Sequence, residues 1–153
     1  MPTGWPEKSL DRLALEDRII RTHYPTLRLL DPTEPGRTRW EGVRETTFGN
    51  WYTIRILLPT NYPLSQPRVY VIRPSPLRDC GSPSSTMHCL SPDQDGNAQI
   101  CHYDSLHWGA HITLDYVMRK VDVWLHAYDV YLREGTKNGR LDRQGVSRYL
   151  PEM

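Results

Sequence analysis

The chain lacks three features that would each have pointed to a partner or a compartment. It has almost no net charge, since 19 Lys and Arg stand against 18 Asp and Glu, so electrostatics gives no reason to expect nucleic acid or an acidic membrane as a partner. It has no apolar run of membrane-spanning length. Its first residues lack the basic and apolar regions of a secretory signal. We therefore expect a cytoplasmic protein that binds neither nucleic acid nor membranes.

Cysteine is also scarce, with only Cys80, Cys89 and Cys101. An odd number of cysteines without a secretory signal predicts free thiols in a reducing compartment. Free cysteine usually behaves as a small buried apolar residue, although one of the three could be a nucleophile. The 153 residues, 38% of them hydrophobic, predict one globular domain over residues 1–153, with its core at about 9–134.

Two helices are predicted from apolar spacing. Ser9 caps the first, which runs to about Thr22 and ends because Tyr24 precedes a proline. Its apolar positions are Leu10, Leu13, Ala14 and Ile20. Thr113 caps the second helix, Gly135 stops it, and the polar tail at residues 136–153 is expected to be peripheral. Its core stripe, at helical spacing, is formed by Val117, Val121, Trp124, Leu125 and Tyr128.

Four strands are predicted between the helices, at residues 27–30, 39–47, 51–58 and 68–72. Their short connections are typical of an antiparallel meander. Residues 74–97 have no usable period, and a structureless loop of that length inside a small domain is often functional. The order of helix, four strands, long loop and helix predicts an α+β fold, with helices segregated from an antiparallel sheet.

Four motifs in this order resemble the ubiquitin-conjugating enzymes, over about residues 9–134. They are Trp40-Glu41-Gly42, Tyr62-Pro63-Leu64-Ser65-Gln66-Pro67-Arg68-Val69, the segment from Gly96 to Cys101, and Trp108-Gly109-Ala110-His111-Ile112-Thr113-Leu114. The chain departs from the family in two ways. It lacks the family's His-Pro-Asn motif, for which His88-Cys89-Leu90 is the nearest counterpart. The family's two C-terminal helices are also missing or reduced. These departures are similar to those of divergent conjugating enzymes encoded with ubiquitin-like proteins in bacterial operons.

The resemblance implies two acyl transfers at Cys101. The thiolate would take a ubiquitin-like modifier as a thioester from an activating enzyme, and a target lysine amine would then attack that thioester. A thiol suits this work because it is a strong nucleophile even when only a small fraction is ionised. The resemblance implies no cofactor and no metal.

The second transfer needs a donor for the charge that develops on the thioester oxygen, and the usual asparagine is absent. Four residues are candidates. Asn97 offers an amide but is also a natural turn residue beside Asp95-Gly96. His88 could donate or could hold the loop. His102 would point to the opposite face from an extended Cys101, and His107 could fold back over the site.

In the family, the first helix and the two loops at residues 59–66 and 108–111 form the docking surface for activating enzymes and ligases. The resemblance therefore implies that Tyr62, Pro63 and Trp108 bind partners. Their alternative interpretation is structural, as residues that shape the loop and the sheet edge.

Three alternatives stay open. The first is a non-catalytic binding module of the same fold, which the missing His-Pro-Asn motif favours. The second is a zinc site built from Cys80, Cys89 and His88 with Cys101 or His102, whose spacings do not match the common paired-ligand patterns. The third is Cys/His hydrolysis, as in a thiol protease, for which only the residue types argue.

Overall fold

The computed structural model describes residues 4–103, 106–134 and 145–150. Within them the protein has the predicted α+β composition, with two α-helices and one antiparallel sheet of six strands. The elements in chain order are α1 (Glu7–His23), β1 (Arg28–Leu30), β2 (Arg39–Glu45), β3 (Trp51–Leu57), β4 (Arg68–Arg73), β5 (Cys89–Leu90), β6 (Ala98–Ile100), α2 (Leu114–Glu134) and a 3-10 helix (Gly145–Tyr149).

The sheet is larger than the four strands predicted. Its strand order is β1-β2-β3-β4-β6-β5, and all neighbours are antiparallel. The two additional strands come from the segment that was predicted to have no regular structure and from the residues directly after it. They escaped prediction because elements of two and three residues are too short to show a period of two.

Helix α1 differs from its prediction at its start and on its buried face. It begins at Glu7 with Pro6 at the N-cap, and no side chain caps it, so Ser9 lies inside the helix rather than before it. Leu10 is 47% exposed, whereas Glu16 is fully buried. Leu13, Glu16 and Ile20 form the buried face, because residues three and four apart lie one above the other on a helix.

Helix α2 buries the predicted apolar stripe, and its members join the core residues of the sheet in one hydrophobic cluster. Thr113 immediately precedes the helix, and its carbonyl accepts hydrogen bonds from the N–H groups of Tyr116 and Val117. Gly135 lies outside the described residues. Neither described helix combines the length and the apolar content needed to cross a bilayer.

The tail was expected to be peripheral, and part of it is not. Val146, in the 3-10 helix, is fully buried, and the N–H of Ser147 donates to the Thr86 carbonyl at 2.8 Å. The residues of the tail at 136–144 and 151–153 lie outside the described part. The only helix described after Glu134 is this single 3-10 turn.

Gly42, the glycine of the Trp-Glu-Gly motif, lets the connection between α1 and β1 lie directly on β2. A Cβ atom at this position would stand 2.2 Å from the Thr26 carbonyl oxygen and 2.7 Å from the Leu27 Cα. Real Cβ atoms do not approach backbone that closely, so only glycine fits.

We expect Gly42→Ala to lower the free energy of unfolding by about 1–3 kcal/mol, the usual cost of forcing extra volume into a packed site. Urea denaturation measures it. Gly81→Ala is the matched control, because a Cβ there meets no atom within 4 Å, and it should leave stability unchanged or slightly raised. Equal stability of the two variants would show that the close approach at Gly42 is not what requires glycine.

Candidate active site around Cys101

The three cysteines lie in two different environments. Cys80 and Cys89 are buried in the core at 1% and 3% exposure, and the Cys89 thiol lies 3.4 Å from the Ser82 carbonyl oxygen. The neighbouring Cys89 thiol and burial raise the pKa of Cys80. Cys101 is partly exposed and forms no disulfide. It is therefore the one cysteine of the three that a large reaction partner could reach without opening the core.

Cys101 directly follows β6, and the strand pairing determines its neighbours. Ile100 pairs with Cys89 of β5 and with Val69 of β4. One residue further on, the N–H of Cys101 donates to the His88 carbonyl at 2.9 Å, which continues the β5–β6 ladder. His88 is therefore the cross-strand neighbour of Cys101. Its φ of 49° lies in the left-handed region, where histidine is one of the more frequent residues other than glycine.

Asn97 lies at the other end of β6, beyond Ala98. Its backbone and side-chain N–H groups both donate to the Asp93 carboxylate at 2.9 Å, and Asp93 N–H donates to its carbonyl at 3.1 Å. The four residue steps to Cys101 correspond to roughly 13 Å in an extended strand. The structure therefore holds Asn97 in the turn and does not bring it beside Cys101.

His102 follows Cys101 but is buried, at 7% exposure. Its Nδ1 lies 3.4 Å from the Ile100 carbonyl oxygen, and its Nε2 is buried with no hydrogen-bond partner among the described residues. Burial lowers the pKa of His102 to about 4. The ring is consequently neutral at physiological pH.

The loop after Cys101 leads to the predicted docking residues. His107 is exposed on the turn before Trp108. Trp108 is partly buried, and its Nε1 donates to the Pro63 carbonyl at 2.9 Å. Tyr62 is almost fully buried, at 2% exposure, whereas its neighbour Leu64 is 75% exposed. Tyr62 and Trp108 therefore join the two loops to each other. This is the structural role that was predicted from the sequence as the alternative to partner binding.

Glu16 connects these loops to both helices. It accepts a hydrogen bond from the Tyr62 hydroxyl, and its two oxygens lie 3.2 and 3.1 Å from the Leu114 nitrogen at the start of α2. Burial raises the pKa of Glu16, against the lowering effect of these bonds and of Arg12. Arg12 also donates to the Ile112 carbonyl at 2.6 Å. One turn of α1 thus sets the positions of the β3–β4 loop and of the entry to α2.

Sequence reasoning missed the role of Glu16. The signal was its spacing, three residues after Leu13 and four before Ile20, which places a carboxylate within the apolar face of α1. An acidic residue at such a position is rarely buried without partners, so the burial itself predicts a polar contact.

No three His, Cys, Asp or Glu side chains approach closely enough to hold a metal ion in the part of the chain that the structure describes. The proposed zinc ligands are distributed over both faces of the β5–β6 hairpin. Cys89 belongs to the core cluster, whereas Cys101 is partly exposed at the strand end.

The arrangement is consistent with an E2-like fold, in which E2 is the general designation of ubiquitin-conjugating enzymes. It consists of a helix, an antiparallel sheet, a cysteine after the last strand and a following core helix. A family model described as Type II CBASS E2 protein matches residues 16–142. The chain belongs to this family. This membership supports the expectation, based on the motifs, of a bacterial E2-like protein. The comparison with curated proteins gave no match, and neither did the comparison with solved structures.

The buried His102 predicts a pH dependence of stability. Its folded pKa of about 4 lies below the unfolded value near 6.5, so the unfolded state binds the extra proton first as the pH falls. The stability it contributes is complete above about pH 6.5 and is lost towards pH 4. Between pH 7 and pH 4.5, wild type should lose about 2–3 kcal/mol more than His102→Leu.

Denaturant unfolding at both pH values measures this difference. His111→Gln is the control, because His111 is exposed and its replacement should leave the loss as in wild type. If His102→Leu loses as much stability as wild type, His102 is not buried in its neutral form.

Proposed function

We propose that this protein is a conjugating enzyme that carries a ubiquitin-like modifier as a thioester on Cys101 and transfers it to a lysine amine of a target. The observation that supports this most is the difference between the cysteines: Cys101 is partly exposed at the end of β6, while Cys80 and Cys89 are buried. Membership in the Type II CBASS E2 family supports the same class of reaction, with a modifier and an activating enzyme as partners.

The reaction consists of two acyl transfers. The Cys101 thiolate attacks the carbonyl carbon of the modifier's thioester on the activating enzyme; the new C–S bond forms, and the activating enzyme's cysteine leaves as a thiolate. A neutral lysine amine then attacks the same carbon. The C–N bond forms, Cys101 leaves as a thiolate, and the nitrogen gives one proton to solvent or to a base.

A thioester trap tests this function. With its modifier, activating enzyme and ATP, wild type should form an adduct that thiol reductant cleaves. Cys101→Ser should form an adduct that survives reductant, because an oxyester is stable to thiols, and Cys101→Ala should form none. Gel mobility with and without reductant gives the result.

Cys80→Ala is the matched control, since it removes a core thiol and should leave the labile adduct in place. A labile adduct on Cys101→Ser would contradict the assignment. Failure of wild type to form any adduct with active partners would favour the non-catalytic binding module.

We propose His88 as the donor that stabilises the oxygen charge during transfer. It is joined to Cys101 by the backbone hydrogen bond of 2.9 Å, and its imidazole can donate near neutral pH. Asn97 and His107 are the other proposed donors. The observations favour His88 over Asn97, because Asn97 already donates to Asp93 at the far end of β6.

Replacing His88 should slow transfer without preventing formation of the thioester. Glycine and asparagine both accept the positive φ of this residue, so the backbone is retained in both variants. His88→Gly should slow discharge of the Cys101 thioester to free lysine by about 10²–10³-fold, the usual effect of losing one such donor. His88→Asn should retain most of the rate, because it supplies an amide donor.

Single-turnover discharge measures these rates. Asn97→Ala is the comparison: it should lower the melting temperature by loosening the turn, with a far smaller effect on discharge than His88→Gly. Wild-type discharge by His88→Gly would contradict the proposed role.

The docking surface that we propose for the activating enzyme consists of exposed side chains next to the predicted ones. Leu64 and Leu106 are 75% and 90% exposed, and Leu10 and Leu15 of α1 are 47% and 45% exposed. Tyr62, Pro63 and Trp108 would contribute chiefly by holding the two loops together. A protein-binding surface is typically a contiguous exposed apolar patch, and the proposal is that these four leucines contribute to one.

A further inference from the structure

The strand register identifies a second neighbour of Cys101, on the side opposite His88. Val69 of β4 pairs with Ile100 of β6, and Tyr70 pairs with Gln99. The strands are antiparallel, so the residue before Val69 and the residue after Ile100 lie across from each other. These residues are Arg68 and Cys101. Directly opposite residues of antiparallel strands have Cβ atoms about 4.5–5.5 Å apart.

Both residues belong to the outer face of the sheet. Val69 and Ile100 are members of the hydrophobic core, and successive side chains of a strand alternate between its faces. Arg68 is accordingly exposed and Cys101 partly exposed. The long arginine side chain can thus extend across the end of the strand pair towards the thiol.

No other described side chain holds the Arg68 guanidinium in place. The neighbouring Arg55 is engaged by Glu41 at 2.7 Å, whereas the Arg68 guanidinium makes no ion pair or hydrogen bond with any described residue. It lines an open depression of about 740 Å³ on the outer face of the sheet, together with Leu90 and Gln99. A polypeptide approaching Cys101 from this face would meet an unpaired cation.

We infer that Arg68 stabilises negative charge at Cys101, first on the thiolate and then on the oxygen of the tetrahedral intermediates. In the first transfer it would favour the nucleophilic form of the thiol. In the second it would favour departure of Cys101 as a thiolate. The same cation would therefore accelerate both transfers. The part concerning the intermediates rests on the proposed function, whereas the part concerning the thiolate does not.

Other titratable groups lie near Cys101 besides Arg68, and they bear on its ionisation. Arg68 faces it from β4 and His88 from the residue before β5. His102 is buried and neutral, and Lys120 of α2 lies near His102. Arg68 differs from His88 in that its charge does not change over the range in which a thiol titrates.

The test is the pH dependence of Cys101 alkylation by iodoacetamide in the isolated protein, followed by mass spectrometry of the peptide that contains Cys101. A unit charge about 6 Å away at a partly exposed site shifts a pKa by about 0.5–1 unit. Arg68→Gln should therefore raise the apparent pKa of the thiol by about that amount, and Arg68→Lys should retain most of the wild-type value. High salt should reduce the difference.

Arg73→Gln is the matched control, an exposed arginine at the other end of β4 that should leave the apparent pKa unchanged. An unchanged pKa in Arg68→Gln, or an equal shift in Arg73→Gln, would overturn the inference. The alkylation assay needs no partner protein. A shift without a thioester adduct would thus contradict the proposed function alone, and an adduct without a shift would contradict the role of Arg68 alone.

Discussion

One buried carboxylate determines the arrangement on which the rest of the site depends. Glu16 is fully buried on α1, and it accepts hydrogen bonds from the Tyr62 hydroxyl and from the first N–H of α2, at Leu114. Burying a charge is costly unless it is paired and hydrogen-bonded, and hydrogen bonds to charged groups contribute about 1.5–3 kcal/mol each. Since the start of a helix favours negative charge, Glu16 is well placed at α2. The first helix, the β3–β4 loop and the core helix can therefore not move independently.

A second constraint, the β5–β6 hairpin, distinguishes the partly exposed Cys101 from the buried Cys89. Alternation along the two short strands directs Cys89 into the core and leaves Cys101 at the open end of β6. The same pairing brings His88 to one side of Cys101 through a backbone hydrogen bond, and the register with β4 brings Arg68 to the other. The roles that we propose for both residues follow from this backbone placement, since a nearby cation favours the thiolate and a hydrogen-bond donor stabilises the oxygen charge.

Much of the fold could be predicted from local pattern. The stripe from Val117 to Tyr128 identified α2 because a long amphipathic helix repeats its signal over several turns. The alternation of Tyr52, Ile54 and Ile56 identified β3, because a strand of seven residues is long enough to repeat its period of two. Local pattern failed for the two-residue β5, which has no room for a period, and for Ser9, because the chain enters α1 at Pro6 instead. It also failed for Glu16, whose polarity concealed its position on the buried face.

The sequence alone determined that one cysteine follows a long irregular segment and precedes a tryptophan and an amphipathic helix, which was enough to single out Cys101 and to indicate the family. Only the tertiary structure decided what surrounds that cysteine. Asn97 is nearer to it along the chain than His88 or Arg68, yet it lies at the far end of β6, bound to Asp93. His88 and Arg68 become its neighbours because strand pairing joins residues that are distant along the chain, and the pairing register follows from how whole strands bury their apolar faces.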